Sequence, residues 1–268
     1  MLFEKIFAGA DLSEPTSVEM ESGLAVVISR TAPGKTTGNE DAAGLWEISP
    51  GVCVLAVADG VGGGPGGAEA ASSAIHAIGN GVRTAEDADA VRAGILDGFD
   101  AANRAVLEQG IGAGTTLVVA ELREGRLRTY HAGDSGALWV GGRGRIRNET
   151  IHHSPVGYLV ASGLIDPSES HHHAERHLLS NCIGSHEMRI EIGALSRMAA
   201  RDTLLLATDG VLDNVRRREL VNTIRVGPLP RASAALLERA TATMGGEDPD
   251  LPAHPDDATA LLFRWNRR

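Results

Sequence analysis

The chain has only two cysteines in 268 residues, too few for a disulfide framework, and Cys53 lies inside the apolar run GVCVLAVA, where a buried, unreactive thiol is the plain reading. Long apolar runs are also lacking. No stretch approaches the length of a membrane span, and the opening MLFEKIFAGADLSEP has too short an apolar segment, and too early an acid at Glu4, for a leader. Positive charge is in deficit as well. A formal charge of −10 repels nucleic-acid phosphates and anionic lipids, which argues against nucleic-acid and membrane-surface binding and favours an acidic enzyme that takes up cations. With 43% hydrophobic residues the chain can fill a sizeable core, so a globular, cytoplasmic monomer is expected.

A nucleotide loop is missing too, despite its trace in SRTAPGKTTGNED (29–41). A phosphate-cradling loop needs glycine, four further residues and then Gly-Lys-Thr, with a helix directly after it. Ser29 stands at the glycine position, and TTGNEDAAGL is too rich in helix-poor residues to continue as a helix.

What the chain does have is a series of short apolar runs bounded by glycine: GLAVVIS, GVCVLAVA, TTLVVAEL, RLRTYHAG, GALWVGG, TLLLAT and ATALLFRW. They read as strands. Two longer segments, AEAASSAIHAIGNGVR and AEDADAVRAGILDGFDAANRAVLEQG, interrupt the series as an antiparallel helix pair, the second with Val91, Ile95, Phe99 and Val106 on one stripe. A third helix is expected over 231–244. Residues 1–20 read as a loose arm or added edge strand, 21–268 as one domain, and 142–186 as a flap-like excursion. Strands grouped without strict alternation with helices predict an α+β architecture of antiparallel sheets packed between helices.

One local echo points to chemistry. VLAVADG (54–60) and LLLATDG (204–210) each deliver an aspartate and a glycine from an apolar strand, and a carboxylate there must be paired, hydrogen-bonded or bound to a cation. Glu40, Asp41, Asp134, Asp213, Asp256 and Asp257 occur in similar settings with few basic neighbours. Carboxylates without cysteine or convincing histidine ligands describe an all-oxygen site suited to Mg²⁺ or Mn²⁺ rather than zinc or copper.

Taken in order, NEDAAG, VADGVGGGPGGAEAAS, AGTTLVVAEL, HAGDSGALWV, LLSNCIG, LLLATDGVLDN and DDATALL resemble the metal-dependent, type 2C-like protein phosphatase family over about residues 23–265, closest to its bacterial branch. The resemblance implies a four-layer α-β-β-α sandwich, two antiparallel sheets flanked by helix pairs, that hydrolyses phosphoserine and phosphothreonine in proteins. It further implies a binuclear Mn²⁺ or Mg²⁺ centre and a partner set of phosphoproteins made by an opposing serine/threonine kinase. By matching motif, Asp59 bridges both ions, the Gly60 carbonyl binds one of them, and Asp209 and Asp256 complete the other shell. Asp59, Asp209 and Asp256 are thus the expected catalytic acids. Glu40 and Asp41 act directly or through water, and Asp134 and Asp213 join Asp209 around a third, weaker ion. Two ions about 4 Å apart lower the pKa of a bridging water and clamp the phosphoryl oxygens, so hydroxide replaces a protein nucleophile. The rival sulfur chemistry needs arginine six residues after its cysteine; six after Cys182 stands Met188.

Two departures qualify the match. The family's phosphate-gripping arginine falls at Thr36, leaving Lys35 and Arg30 as nearby cations, with a solvated loop lysine as the alternative reading for Lys35. Val61 stands where many relatives carry histidine after the first Asp-Gly. The missing arginine keeps open a catalytically weak relative serving as a regulatory binding module, and the sequence also leaves open a hydrolase of small phosphate esters. Three further features read as structural. His171–His173 are consecutive and do not suit convergence on a metal, Arg216–Arg218 read as a polar helix face, and Gly62–Gly67 read as a tight turn into the first helix.

Overall fold

The glycine-bounded apolar runs become strands because each is buried on both faces. A computed structural model of the chain describes residues 1–61, 66–85 and 87–266. In chain order, β1 (Phe3–Ala8), β2 (Thr16–Glu19), β3 (Gly23–Arg30), β4 (Asp41–Ser49) and β5 (Val52–Asp59) precede α1 (Gly67–Arg83) and α2 (Ala88–Glu108). Then come β6 (Leu117–Arg123), β7 (Arg126–Ala132), β8 (Gly136–Val140), β9 (Ile146–Glu149), α3 (Pro155–Ala161), β10 (Glu191–Ile192) and β11 (Ser196–Arg197). The chain closes with β12 (Thr203–Ala207), α4 (Asp209–Leu212), α5 (Arg217–Ile224), α6 (Leu229–Met244) and β13 (Ala258–Trp265).

Two antiparallel sheets result, one ordered β1-β4-β5-β6-β7-β10 with β11 also on β7, the other β2-β3-β13-β12-β8-β9. Residues 1–20 supply an edge strand to each: β1 pairs with β4, and β2 with β3. Three apolar layers separate four structural ones. α1 and α2 cover the outer face of the first sheet, the sheets pack on each other, and α4, α5 and α6 cover the second. β5 shows why no polar alternation is visible: Val54, Ala56 and Ala58 face the helices, while Cys53, Leu55 and Val57 face the other sheet. The antiparallel pair α1–α2 packs backbone to backbone, since a Cβ on Gly81 would lie 2.1 Å from the Gly94 carbonyl oxygen.

β4 is a strand that the apolar runs do not reveal. Its interior is interrupted by Gly44 and Glu47, yet eight of its nine residues are buried. Gly44 is required because the Trp46 ring folds over it, 2.1 Å from where a Cβ would be. Glu47 is tolerated because its carboxylate accepts hydrogen bonds from Glu21 N, Ser22 N and Ser22 Oγ at 2.7–3.0 Å. The stretch 142–186 contains β9, α3 and a 3₁₀ turn at Ser170–His172. Most of the Gly62–Gly67 turn lies outside the described residues; Gly66 caps α1 with φ 94°.

Candidate functional site

Antiparallel pairing brings the acids to one edge of both sheets. Asp41 begins β4 and Asp59 ends β5, and the two are direct cross-strand partners. Asp209 follows β12 and Asp256 precedes β13 at the end where Ala207 pairs with Ala260. Asp134 sits in the turn from β7 to β8, which crosses from the first sheet to the second. Asp213 caps the C-terminus of α4, the helix that Asp209 opens.

The echoed Asp-Gly pairs now have a steric cause. A Cβ on Gly60 would lie 2.4 Å from the carbonyl of Gly67 at the start of α1, and one on Gly210 would lie 2.0 Å from the Asp257 carbonyl oxygen. Each glycine lets another backbone segment press against the strand end that carries the acid. Around Asp59 the main chain is fixed by Thr116 N donating to its carbonyl at 2.8 Å and by its own N–H donating to Thr116 Oγ1 at 3.1 Å. Asp41 Oδ2 accepts from Thr208 Oγ1 at 3.0 Å.

The electrostatics favour a bound cation, since the acids disfavour one another's charge. Burial, followed by the charge of Asp209 and other acids, raises Asp59 well above the usual carboxylate range. Asp213 is raised in the same way. Burial pushes Asp41 up to about 8. Desolvation together with neighbouring acids moves Asp134, Asp209 and Asp256 to about 6. Asp41 Oδ1 and Asp209 Oδ1 are buried without a hydrogen-bond partner. Unsatisfied carboxylate oxygens in a set of mutually repelling acids suit a hard divalent cation.

The candidate phosphate cations have different surroundings. Arg30 is turned away from the acids: its Nε donates to Leu12 O at 2.6 Å and its Nη2 to Ser13 O at 3.1 Å. The expectation that it grips phosphate is set aside, because its guanidinium is engaged by the N-terminal segment. Lys35 reaches the acid cluster, with Nζ 2.6 Å from both Glu40 Oε2 and Asp257 Oδ2. Partial burial pulls its pKa down, but these two carboxylates outweigh that and hold the ammonium above its ordinary range. Thr36 is exposed.

Asp257, noted in the sequence among the acids but given no role there, is a functional candidate in the structure. It is 2% exposed, and beside Lys35 it accepts from the backbone N–H groups of Ala32 and Glu40, each at 2.7 Å, fixing the 30–40 loop to β13. The signal lay in the DD dipeptide before an apolar strand, but nothing in the sequence separates the role of Asp256 from that of its neighbour.

Cys182 does not suit sulfur chemistry, since burial and then the charge of Asp134 raise its thiol pKa. His131, His153 and Glu191 form a separate cluster with ligand atoms within 4.8 Å. The two rings stack at 4.4 Å with an interplanar angle of 19°, so their lone pairs lie in near-parallel planes and do not meet on one ion. His153 instead accepts from Gly133 N at 3.1 Å and contacts Glu191 at 3.2 Å, tying the Asp134 turn to β10. His172 is exposed while His171 faces a neighbouring cleft, so the histidine triplet does not converge. Arg216 and Arg217 are paired with Asp248 and Glu149.

The family model described as Protein phosphatase 2C matches residues 34–245. The serine/threonine protein phosphatase PstP of Mycobacterium tuberculosis is 29% identical over 234 residues, covering 84% of this chain; the chain spans 41% of that relative's length. Among solved structures, the PPM Ser-Thr phosphatase MsPP from Mycobacterium smegmatis, in complex with cacodylate, superimposes with a TM-score of 0.73 at 25% identity, covering 90% of this chain and 98% of the other. The catalytic domain of a serine threonine protein phosphatase PstP, in complex with 2 manganese ions, gives a TM-score of 0.68 at 24% identity, covering 90% of this chain and 96% of that one. The two-sheet sandwich flanked by helices, the acids gathered at its edge and a match across most of the sequence agree: the chain belongs to the protein phosphatase 2C family.

Proposed function

We propose that this protein hydrolyses phosphoserine and phosphothreonine in other proteins, with Mn²⁺ or Mg²⁺ held by Asp59, the Gly60 carbonyl, Asp209 and Asp256, assisted by Glu40 and Asp41. Asp134, Asp213 and Asp209 form the weaker site for a third ion. The observation that carries this reading is the gathering of repelling carboxylates at one sheet edge, two of them with orphaned buried oxygens. Family membership and the phosphatase names of the relatives support it.

When bound there, divalent ions supply Lewis acidity, polarising phosphoryl oxygens and making water acidic enough to yield hydroxide near neutral pH. The protein's own groups do the positioning. Asp59 and Asp209 project from fixed strand ends, and Thr208 orients Asp41. Lys35 uses two of its three N–H donors on Glu40 and Asp257 and directs the third to a phosphate oxygen, as a point charge in place of a planar arginine fork. No histidine follows Gly60, so proton delivery to the leaving group falls to solvent. The phosphoprotein substrates imply an opposing serine/threonine kinase, and the two free cysteines are compatible with a cytoplasmic setting. No described helix is long and apolar enough to cross a membrane.

The deciding experiment compares a phosphothreonine peptide with p-nitrophenyl phosphate, with Mn²⁺ and with chelator. Turnover of both, lost in chelator and in Asp59→Asn, is expected. Hydrolysis of the small ester alone favours the small-ester reading, and turnover of neither favours the regulatory one.

A further inference from the structure

Three of the acids reach into a larger cleft. Asp134, Asp209 and Asp213 line a cavity of about 380 Å³ that continues away from them between α3 on one side and α4 and α5 on the other. Val156, Val160 and Ala161 of α3 face it from one wall, and Leu212 of α4 and Leu220 of α5 from the other. A phosphate ester held by the acids has no use for these walls. Its oxygens need donors and cations, whereas five aliphatic side chains offer a place from which only apolar surface gains by leaving water. The volume falls within the roughly 300–1,000 Å³ range typical of ligand clefts.

The charges around the cleft restrict its occupant further. Two guanidinium groups reach its wall, and both are already engaged: Arg217 donates to both oxygens of Glu149, at 2.5–3.1 Å, and Arg176 is bonded to His254 and directed at His173 O. Arg217 is thus matched by Glu149 within this chain and Arg176 is held by His254 and His173, so the aliphatic walls, rather than a new ion pair, are what the cleft offers an occupant. From this continuity and charge pattern we infer that the cleft is a specificity pocket for one large apolar side chain close in sequence to the phosphorylated residue of a polypeptide substrate. The inference rests on the phosphatase reading above and adds the substrate class to it. A cavity of this volume is roughly 7 Å across if equidimensional, the span of about two extended residues, so the apolar residue lies within about three positions of the phosphoresidue.

The test uses a phosphothreonine peptide with alanine at every flanking position, and versions carrying a single leucine or a single aspartate at each position from −3 to +3. With Mn²⁺ present, leucine at one of these positions is expected to raise kcat/KM about tenfold or more, chiefly through KM, while aspartate at the same position does not. Val160→Asp places a charge in the wall, and Ala161→Trp fills the cleft from an exposed position without removing core. In both variants the leucine-to-alanine ratio falls towards one. Equal rates for all peptides, a preference for aspartate, or a leucine preference that survives both substitutions overturns the pocket. p-Nitrophenyl phosphate has no flanking residue and reports on the acid site alone. If it and the alanine peptide are hydrolysed without leucine preference, the pocket is rejected and the phosphatase reading stands. If nothing is hydrolysed, the phosphatase reading fails, and fluorescence anisotropy of labelled leucine and alanine peptides decides the pocket separately: equal affinity rejects it, and tighter leucine binding that Ala161→Trp abolishes supports it.

Discussion

Lys35 and Asp257 form an ion pair at 2.6 Å that the proposed function places on the substrate side of the site. Removing Lys35 with Lys35→Ala is expected to raise KM for phosphopeptide and weaken inhibition by phosphate, a loss of about 1.5–3 kcal/mol for one charged hydrogen bond. Metal affinity, read by calorimetric Mn²⁺ titration, should change far less. Thr36→Arg tests the same point from the other side: a planar fork at an exposed loop position lowers KM if the loop can bring it to the phosphate. Unchanged KM in both variants would mean that metals alone hold the phosphate. Asp257→Ala strands two backbone N–H groups and leaves Lys35 with Glu40 as its one remaining carboxylate, and should cost about 1–3 kcal/mol of unfolding free energy in urea titration, with KM rising as the loop loosens. Cys182→Ser, by contrast, should keep most of the turnover, because a thiol raised by burial is not a nucleophile at neutral pH. A dead but folded serine variant would restore the sulfur mechanism.

Elements meet at glycines in this fold, and the contacts set how precisely the acids are held. A methyl group on Gly210 would have to displace the Asp257 carbonyl, the main chain between Asp256 and β13. Gly210→Ala is therefore expected to destabilise the protein by about 1–3 kcal/mol and to weaken Mn²⁺ binding together with stability. A stable variant with intact Mn²⁺ affinity would show that the helix α4 and β13 can separate freely. The stacked histidines act at the same scale. Burial lowers the pKa of His131, and burial and the His131 charge lower that of His153, with Glu191 opposing and Arg189 assisting in the case of His153. As pH falls through about 6.5, the unfolded chain takes up protons that the folded histidines resist, so stability is lost in that window. Chelator-treated wild type should lose more stability between pH 7.5 and pH 5.5 than His153→Gln does; identical slopes would remove these histidines from the account.

For the whole molecule, cation binding and folding are one equilibrium. An ion that binds the assembled acids and not the unfolded chain stabilises by about 2.7 kcal/mol at a hundredfold excess over Kd, so saturating Mn²⁺ should raise Tm by several degrees. Asp59→Asn should remove most of that rise. A melting temperature indifferent to Mn²⁺ would contradict the acid site as a metal centre.

The sequence by itself determined a good deal of this. Buried strands such as β5 and β12 are legible because burial on both faces demands continuous apolar residues, and the Asp-Gly pairs mark their ends because an acid and a close backbone contact each leave a residue-type signature. α1, α2 and α6 are legible from their length and periodicity. β4 is not, since its Gly44 and Glu47 are explained only by Trp46 and by the donors of Glu21 and Ser22, whose proximity depends on sheet order. Arg30 and Lys35 likewise look interchangeable on paper, five residues apart at the end of β3 and in the loop after it. Tertiary structure alone separated them, because what a cation does depends on the acceptors that distant segments bring to it: the carbonyls of Leu12 and Ser13 for one, and the carboxylate of Asp257, 222 positions away, for the other.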